Sequence, residues 1–472
     1  MNGRIVVIGG LAAGPAAAAK AKRTAPNAEV LLIEGGEHIS YGICEIPYYV
    51  GGTVRIAEDL LVYTPERFEK EKGVKVRTLH HAEKIHAAAR VIEVRDFQTG
   101  RIQEVRYDRL ILATGSRPRK LGLEGEKARN VFAIKSFQEA KALRKFLETE
   151  NPKKAVVIGG GYIGMEMAES FTARAMHVTV LHRWEQPMWG LEKTTREAVA
   201  AELTGNGVSF VPGARVQSIG TTKDSTASSV RTESSSFEAD VIVVCTGVEP
   251  NTELALESGI RLGDERGILT DQRQVTSIDG IYAAGDCCEV KNLVNNKLMY
   301  CPLATIAARQ GRVAGHNAAG GSSVFKGALR AIAVKVFSME VARVGLSSAE
   351  AEESGLDPVL TEIEANSRVP LFPGNERIHI ITIVDRSTRR LLGANVFGRD
   401  GAVLRANTLS LAIQNRMTLD EFSDSDLIYS PPFTPLWDPL LIVGHQFRKS
   451  MDHEKPHHHR PPSRKTGSHD SP

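Results

Sequence analysis

Cysteine is scarce in this chain: 472 residues hold five, at Cys44, Cys245, Cys287, Cys288 and Cys301. The number is odd and no CxxC spacing repeats, which argues against a disulfide scaffold and a zinc site, so no metal is expected. A charge excess is also missing. The formal net charge is +3, and no long single-sign tract is present of the kind that binding a phosphate backbone needs, so nucleic acid is not an expected partner. No apolar run approaches the roughly 18 residues of a membrane span. The N-terminus enters a strand at residues 4–8 without a signal-peptide pattern. Together these absences predict a cytoplasmic protein in a reducing compartment, with no membrane partner.

What is present is ordinary globular composition, 42% hydrophobic and 24% charged. The length predicts two or three domains. Glycine is plentiful, and it gathers in loops of the phosphate-binding kind. The apolar run Ile5–Ile8 reads as a strand buried on both faces. Gly9, Gly10, Leu11, Ala12, Ala13 and Gly14 follow, then an Ala-rich helix to Arg23. The next strand, 29–33, is closed by Glu34. This is a βαβ unit whose glycines admit a pyrophosphate at a helix N-terminus and whose acid can bind a ribose hydroxyl. Leu11 stands where the second glycine belongs. Lys20, Lys22 and Arg23 on that helix, with Lys72 later, read either as a solvated basic face or as a docking surface for an anionic substrate.

A second unit opens at 155–158 and continues Gly159, Gly160, Gly161, Tyr162, Ile163, Gly164, a full GxGxxG directly after a strand and before a helix at 165–174. The strand 177–181 ends at His182 and Arg183 rather than at an acid. Two potentially cationic residues there suit the 2′-phosphate of NADPH, with NADH as the alternative; they also read as plain exposed loop residues. Two strands exit in Thr-Gly, at Ala113-Thr114-Gly115 and at Thr246-Gly247. This internal echo suggests two related nucleotide domains. A further strand, 280–284, ends in Gly285-Asp286, where open α/β sheets bind ligands. Cys287 and Cys288 follow; adjacent cysteines form a strained ring, so a redox role is disfavoured there. Residues 90–106 read as a β-meander, 137–147 and 302–317 as helices, and 220–236 as a hairpin or loop. From 322 the composition turns to a separate α+β domain, with strands at 332–343 and 378–384 and a helix at 402–415. An aromatic and proline-rich segment, 429–439, could cap a partner subunit. Residues 450–472 read as a disordered, His-rich tail.

Between the first unit and the meander lies Ser40-Tyr41-Gly42-Ile43-Cys44-Glu45-Ile46-Pro47-Tyr48-Tyr49. A lone thiol served by two nucleotide sites suggests electron transfer through sulfur, and a helix N-terminus or flavin edge nearby would favour the thiolate. The other reading is a buried structural cysteine.

The two units, two Thr-Gly exits, the Gly-Asp strand end and the C-terminal α+β domain together resemble the flavin- and pyridine-nucleotide-dependent disulfide oxidoreductases over residues 1 to about 447. The single cysteine resembles the one-cysteine branch that holds the coenzyme A-disulfide reductases, NADH oxidases, NADH peroxidases and polysulfide reductases; the other branch carries C-x₄-C. The resemblance implies an α/β fold with two Rossmann-like domains and a C-terminal α+β dimerisation domain. The FAD domain would span 1–150 and 248–325, the NAD(P)H domain 151–247, and the dimerisation domain 326–449. It implies FAD held by the first loop, Glu34, the Thr-Gly exits and Asp286, and NADPH held by the second loop with His182 and Arg183. It implies catalysis by Cys44, with Glu166 near the nicotinamide and Tyr429 reaching a homodimer partner's site. Glu166 also reads as a plain helix-dipole carboxylate. It further implies a small-molecule disulfide substrate, foremost coenzyme A disulfide, contacted by Lys20, Arg23, Ser40 and Lys72. Peroxidases and water-forming oxidases of the family carry a histidine where this chain has Ala12, which argues against peroxide or oxygen. Leu371 and Phe372 stand where relatives often have tyrosines, and Ile43 replaces a polar residue, which keeps polysulfides and persulfides open, with an NADH oxidase as the other alternative. No rhodanese-like domain is expected after 447. A flavoprotein electron carrier to a protein partner, with Cys44 structural, is the rival reading.

Overall fold

The computed structural model describes residues 3–453. Its two nucleotide units are parallel sheets of five strands each. In the first, strands run in the order Ile281–Ala283, Arg109–Leu112, Arg4–Ile8, Glu29–Ile33, Lys75–Arg77. All four pairings are parallel. Helices cover one face and the antiparallel sheet His80–His86, Val91–Asp96, Ile102–Arg106 covers the other, so Ile5, Val6 and Val7 are fully buried and the strand reads as an unbroken apolar run rather than an alternation.

The helix Ala13–Thr24 lies against the helix Ala304–Ala318. They approach closely because the contact face is built from the smallest residues. A Cβ on Gly311 would meet the Ala13 carbonyl oxygen at 2.2 Å, and one on Gly315 the Ala17 oxygen at 2.0 Å. Glycine at i and i+4 is therefore a packing requirement.

The second sheet runs Ser209–Val211, His177–Leu181, Lys154–Ile158, Val241–Val244, Val131–Ala133, again all parallel. Its edge strand comes from 131–133, upstream of the expected start at 151. The helix Phe137–Glu150 buries Phe137, Ala140, Leu143 and Leu147 in the same core as Ala155 and Val157. A three-residue strand carries too little periodicity to be read from sequence. The stretch expected as a hairpin or loop at 220–236 sits in a three-stranded antiparallel sheet, Val216–Thr221, Ala227–Thr232 and Ser236–Glu238.

The third unit is a five-stranded antiparallel sheet, ordered Ile332–Val336, Met339–Gly345, Leu391–Gly398, Arg377–Asp385, Pro358–Asn366. The expected single strand over 332–343 is thus a hairpin turning at Phe337 and Ser338. The helices Ala402–Gln414 and Pro439–His453 pack with this sheet. The last helix crosses the expected tail boundary at 450, and residues 454–472 lie outside the described residues. Among the described residues no helix is long and apolar enough to cross a membrane.

Candidate active site

The segment carrying Cys44 is pinned from three sides. The Ser40 N–H donates to the Gly10 carbonyl at 2.8 Å, so the segment starts on the first glycine loop. Gly42 N–H donates to Leu60 O at 2.9 Å and Val62 N–H to Ser40 O at 2.8 Å. The short helix Ile46–Gly51 then runs into the second unit. There Ser170 Oγ donates to Pro47 O at 2.7 Å, Arg174 Nε to Val50 O at 2.6 Å and Arg144 to Tyr49 O at 2.6 Å. These donors bind carbonyls of the short helix from the second unit and tie it there. Cys44 is thereby fixed at the seam of the two nucleotide units.

Cys44 is exposed and free. Neighbouring protein nevertheless desolvates its thiol and pushes its pKa up, and the negative fields of Glu45, Glu166 and Asp286 add to this; Lys135 opposes them. The chain by itself thus disfavours the charged sulfur, through desolvation first and the surrounding carboxylates second.

Glu166 sits on the helix Tyr162–Thr172, half-buried, and burial followed by the charge of Glu169 raises its pKa to about 7. Asp286 accepts from Ser116 Oγ at 3.0 Å and from Lys135 Nζ at 3.2 Å. Lys135 precedes the helix of the second unit while Asp286 ends a strand of the first, so this largely buried pair bridges them. No sequence pattern pointed to Lys135 or Ser116; only the fold brings them to Asp286.

The first loop has the form a dinucleotide needs. Glu34 ends its strand and accepts the Gly10 N–H at 2.5 Å and the Gly36 N–H at 2.7 Å. Gly14 and Gly164 allow helix against strand: a Cβ there would lie 1.7 Å from Gly9 O and 1.9 Å from Gly159 O. A Cβ on Gly115, Gly161 or Gly247 would meet nothing within 4 Å, so the backbone at these three points faces open space. Gly115 adjoins Ser116 on Asp286 in the first unit, and Gly161 and Gly247 follow strands of the second, so each unit offers bare backbone at a strand C-terminal edge that fits a phosphate-bearing cofactor. The two Thr-Gly exits are tied together. Thr114 Oγ1 donates to Asn251 O at 2.7 Å, Asn251 Nδ2 to Thr114 O at 2.9 Å, and Thr246 Oγ1 to Arg119 O at 3.2 Å. The threonine hydroxyls thus serve the crossing of the chain, while Ala113 is buried beneath it.

His182 departs from its expected role. It is 9% exposed, and its Nδ1 accepts the Gly160 N–H at 3.1 Å. Burial, with Arg183 beside it, lowers its pKa, so it is a neutral brace for the second glycine loop rather than a cation. Arg183 is exposed, with its guanidinium 4.9 Å from the Trp184 ring centroid.

Lys20, Arg23, Ser40 and Lys72 do come together. They line one cavity of about 520 Å³ with Ala12, Tyr63, Phe68 and Arg312. Lys72 Nζ lies 4.9 Å from the Tyr63 ring centroid, and Tyr63 meets Phe68 edge to face at 5.5 Å. Sequence reading missed Tyr63, Phe68 and Arg312, which are distant in the chain and have no motif. Tyr429 is exposed, beside Ile428, Phe433 and Trp437 on the third unit. Cys287 and Cys288 are buried and unpaired, their sulfurs 3.8 Å apart.

The family profile described as pyridine nucleotide-disulphide oxidoreductase matches residues 3–311. The chain belongs to this family. Its dimerisation-domain profile matches residues 332–439. It is an NAD(P)H-dependent, FAD-using disulfide oxidoreductase, in agreement with the strand-end acids and glycine loops. The NAD(P)H coenzyme A polysulfide/persulfide reductase of Pyrococcus horikoshii is 33% identical over 448 residues, covering 94% of this chain and 98% of that one. The coenzyme A disulfide reductase of Staphylococcus haemolyticus is 28% identical, covering 94% and 99%. The solved structure of reduced Bacillus anthracis CoADR-RHD superposes with a TM-score of 0.93 at 30% identity, covering 96% of this chain and 81% of that one.

Proposed function

We propose that this oxidoreductase reduces a disulfide bearing coenzyme A, using Cys44 as the attacking sulfur. One observation carries the reading: the cavity that runs from Ala12 and Ser40, four residues before Cys44, to the cations Lys20, Arg23, Lys72 and Arg312 and the ring of Tyr63. Coenzyme A ends in an adenosine carrying three phosphates, and such a group calls for several cations and an aromatic face. Its long arm carries the sulfur away from that end, toward Cys44. The two relatives named above share coenzyme A in their printed names.

Bound FAD would supply the two-electron relay from NAD(P)H to the sulfur chemistry, held by the first glycine loop, Glu34 and Asp286. Cys44 attacks one sulfur of the substrate disulfide, and the other departs as a thiol after taking a proton. Two electrons and a second proton then release the remaining thiol from Cys44, so one disulfide yields two thiols. Tyr429 of the partner subunit would donate to the departing sulfur in a homodimer. Glu166, whose carboxyl is pushed up to about 7 by burial, would face the nicotinamide.

A polysulfide or persulfide is the second reading. It is favoured by Leu371 and Phe372, exposed apolar side chains without hydroxyl groups, and by the printed name of the Pyrococcus relative. Anaerobic NADPH oxidation with coenzyme A disulfide, polysulfide and peroxide as separate acceptors tests both. A rate with coenzyme A disulfide that vanishes in Cys44→Ser supports the first; a rate confined to polysulfide supports the second. Turnover that survives Cys44→Ser returns the chain to the electron-carrier reading.

A further inference from the structure

Two loops of the third unit display large apolar side chains to solvent. One carries Leu371, 91% exposed, and Phe372; the other carries Tyr429, Phe433 and Trp437. They meet where the Val369 N–H points to the Pro431 carbonyl at 3.4 Å. Beneath them lies one buried guanidinium. Arg405, on the helix Ala402–Gln414, is 9% exposed. Its Nε lies 3.2 and 3.1 Å from the two carboxylate oxygens of Asp438, and its other nitrogen donates to Asp438 Oδ2 at 2.9 Å and to the Ser367 carbonyl at 2.8 Å. Asp438 closes the second loop, and Ser367 opens the first. Asp438 also accepts from Thr434 Oγ1 at 2.6 Å and from the Leu440 N–H at 2.9 Å. Asp438 is 9% exposed and Ser367 wholly buried.

A buried pair of this kind contributes little net stability compared with an apolar core, but it fixes geometry, because the planar fork accepts few alternative arrangements. Here it sets two loops in one register while their own side chains point outward without cover. The occupant is a second copy of this chain: both loops fall within residues 332–439, which match the family's dimerisation domain.

We propose that Arg405 and Asp438 are positioning residues that act across the dimer, holding the 368–374 and 429–437 loops in place over the partner subunit's Cys44 cleft. The proposal rests on the reading that Tyr429 serves the partner's site. Each Cys44 then depends on the Arg405 of the other chain.

Mixed dimers of the flavin-loaded enzyme, separated by two affinity tags, test this. In the first, one subunit carries Cys44→Ser and the other Arg405→Lys, so the remaining Cys44 faces intact loops. In the second, one subunit carries both changes and the other none, so the remaining Cys44 faces loosened loops. Both contain the same substitutions and the same number of live thiols. The expected result is about half the parental kcat in the first and at least a tenfold lower kcat in the second, with flavin bleaching by NADPH equal in both. Equal turnover in the two dimers overturns the proposal, since a general loss of stability does not depend on arrangement. If Arg405→Lys yields no soluble dimer, Asp438→Asn takes its place in the same pair of tests. The assay uses whichever acceptor the parent enzyme reduces. Failure of coenzyme A disulfide as acceptor would therefore correct the proposed substrate, and equal mixed dimers would correct the proposed clamp.

Discussion

Nδ1 of His182 accepts the backbone N–H of Gly160 at 3.1 Å, and this contact decides what the end of the second nucleotide strand can do. An accepting Nδ1 places the ring proton on Nε2 and leaves the imidazole neutral. Of the two residues that stand where an acid would bind a ribose, only Arg183 brings charge. Arg183→Ala should therefore lower kcat/KM for NADPH by about tenfold or more, the worth of a charge-assisted hydrogen bond. It should leave NADH nearly unchanged. Steady-state kinetics with both donors check this. Equal losses for both would remove Arg183 from the choice of donor.

Cys44→Ser should abolish disulfide turnover, by about 10³-fold or more, since the other cysteines are buried and none can replace the exposed sulfur. NADPH should still bleach the bound flavin at the parental rate. Stopped-flow absorbance separates the two half-reactions.

The cationic cavity predicts a salt-sensitive substrate KM. Lys20→Ala or Arg23→Ala should raise the KM for coenzyme A disulfide roughly tenfold with kcat held, and the difference from the parent should shrink at high ionic strength. A small disulfide without phosphates should not register the change. If it does, the cavity is not where the substrate is recognised.

Glu166 predicts a pH-dependent stability. Its carboxyl is raised from 4.5 to about 7 in the folded chain, chiefly by burial. Folding thus favours the protonated form; its contribution is complete below pH 4.5 and is lost as pH rises through 7. Above that, the ionised group carries a desolvation cost on the order of 3 kcal/mol at most. Glu166→Gln in flavin-free protein should gain Tm relative to the parent at pH 8 and lose most of that gain by pH 5. Thermal melts across that range check the sign; a gain at pH 5 as large as that at pH 8 would remove the titration from the account.

Much of this protein is legible in its amino-acid sequence. The glycine loops, the strands ahead of them, Glu34 and Asp286 lie within short βαβ units, where local chain geometry and helix dipoles dictate residue type. The place of Cys44 between two nucleotide units is equally legible; that Lys20 and Arg23 share a cavity with Lys72 is visible only in the fold. Tertiary structure alone decided the rest, because those relationships join residues far apart in the chain. It took the edge strand Val131–Ala133 into the second sheet, where a three-residue strand carries no periodic signal. It brought Tyr63, Phe68 and Arg312 to the cavity of Lys20 and Arg23. It set Lys135 against Asp286 and Arg405 against Asp438. It also reversed one expectation, making His182 a neutral brace, and it desolvates the Cys44 thiol. Residue type shows that a group can be charged, but burial and neighbours decide whether it is.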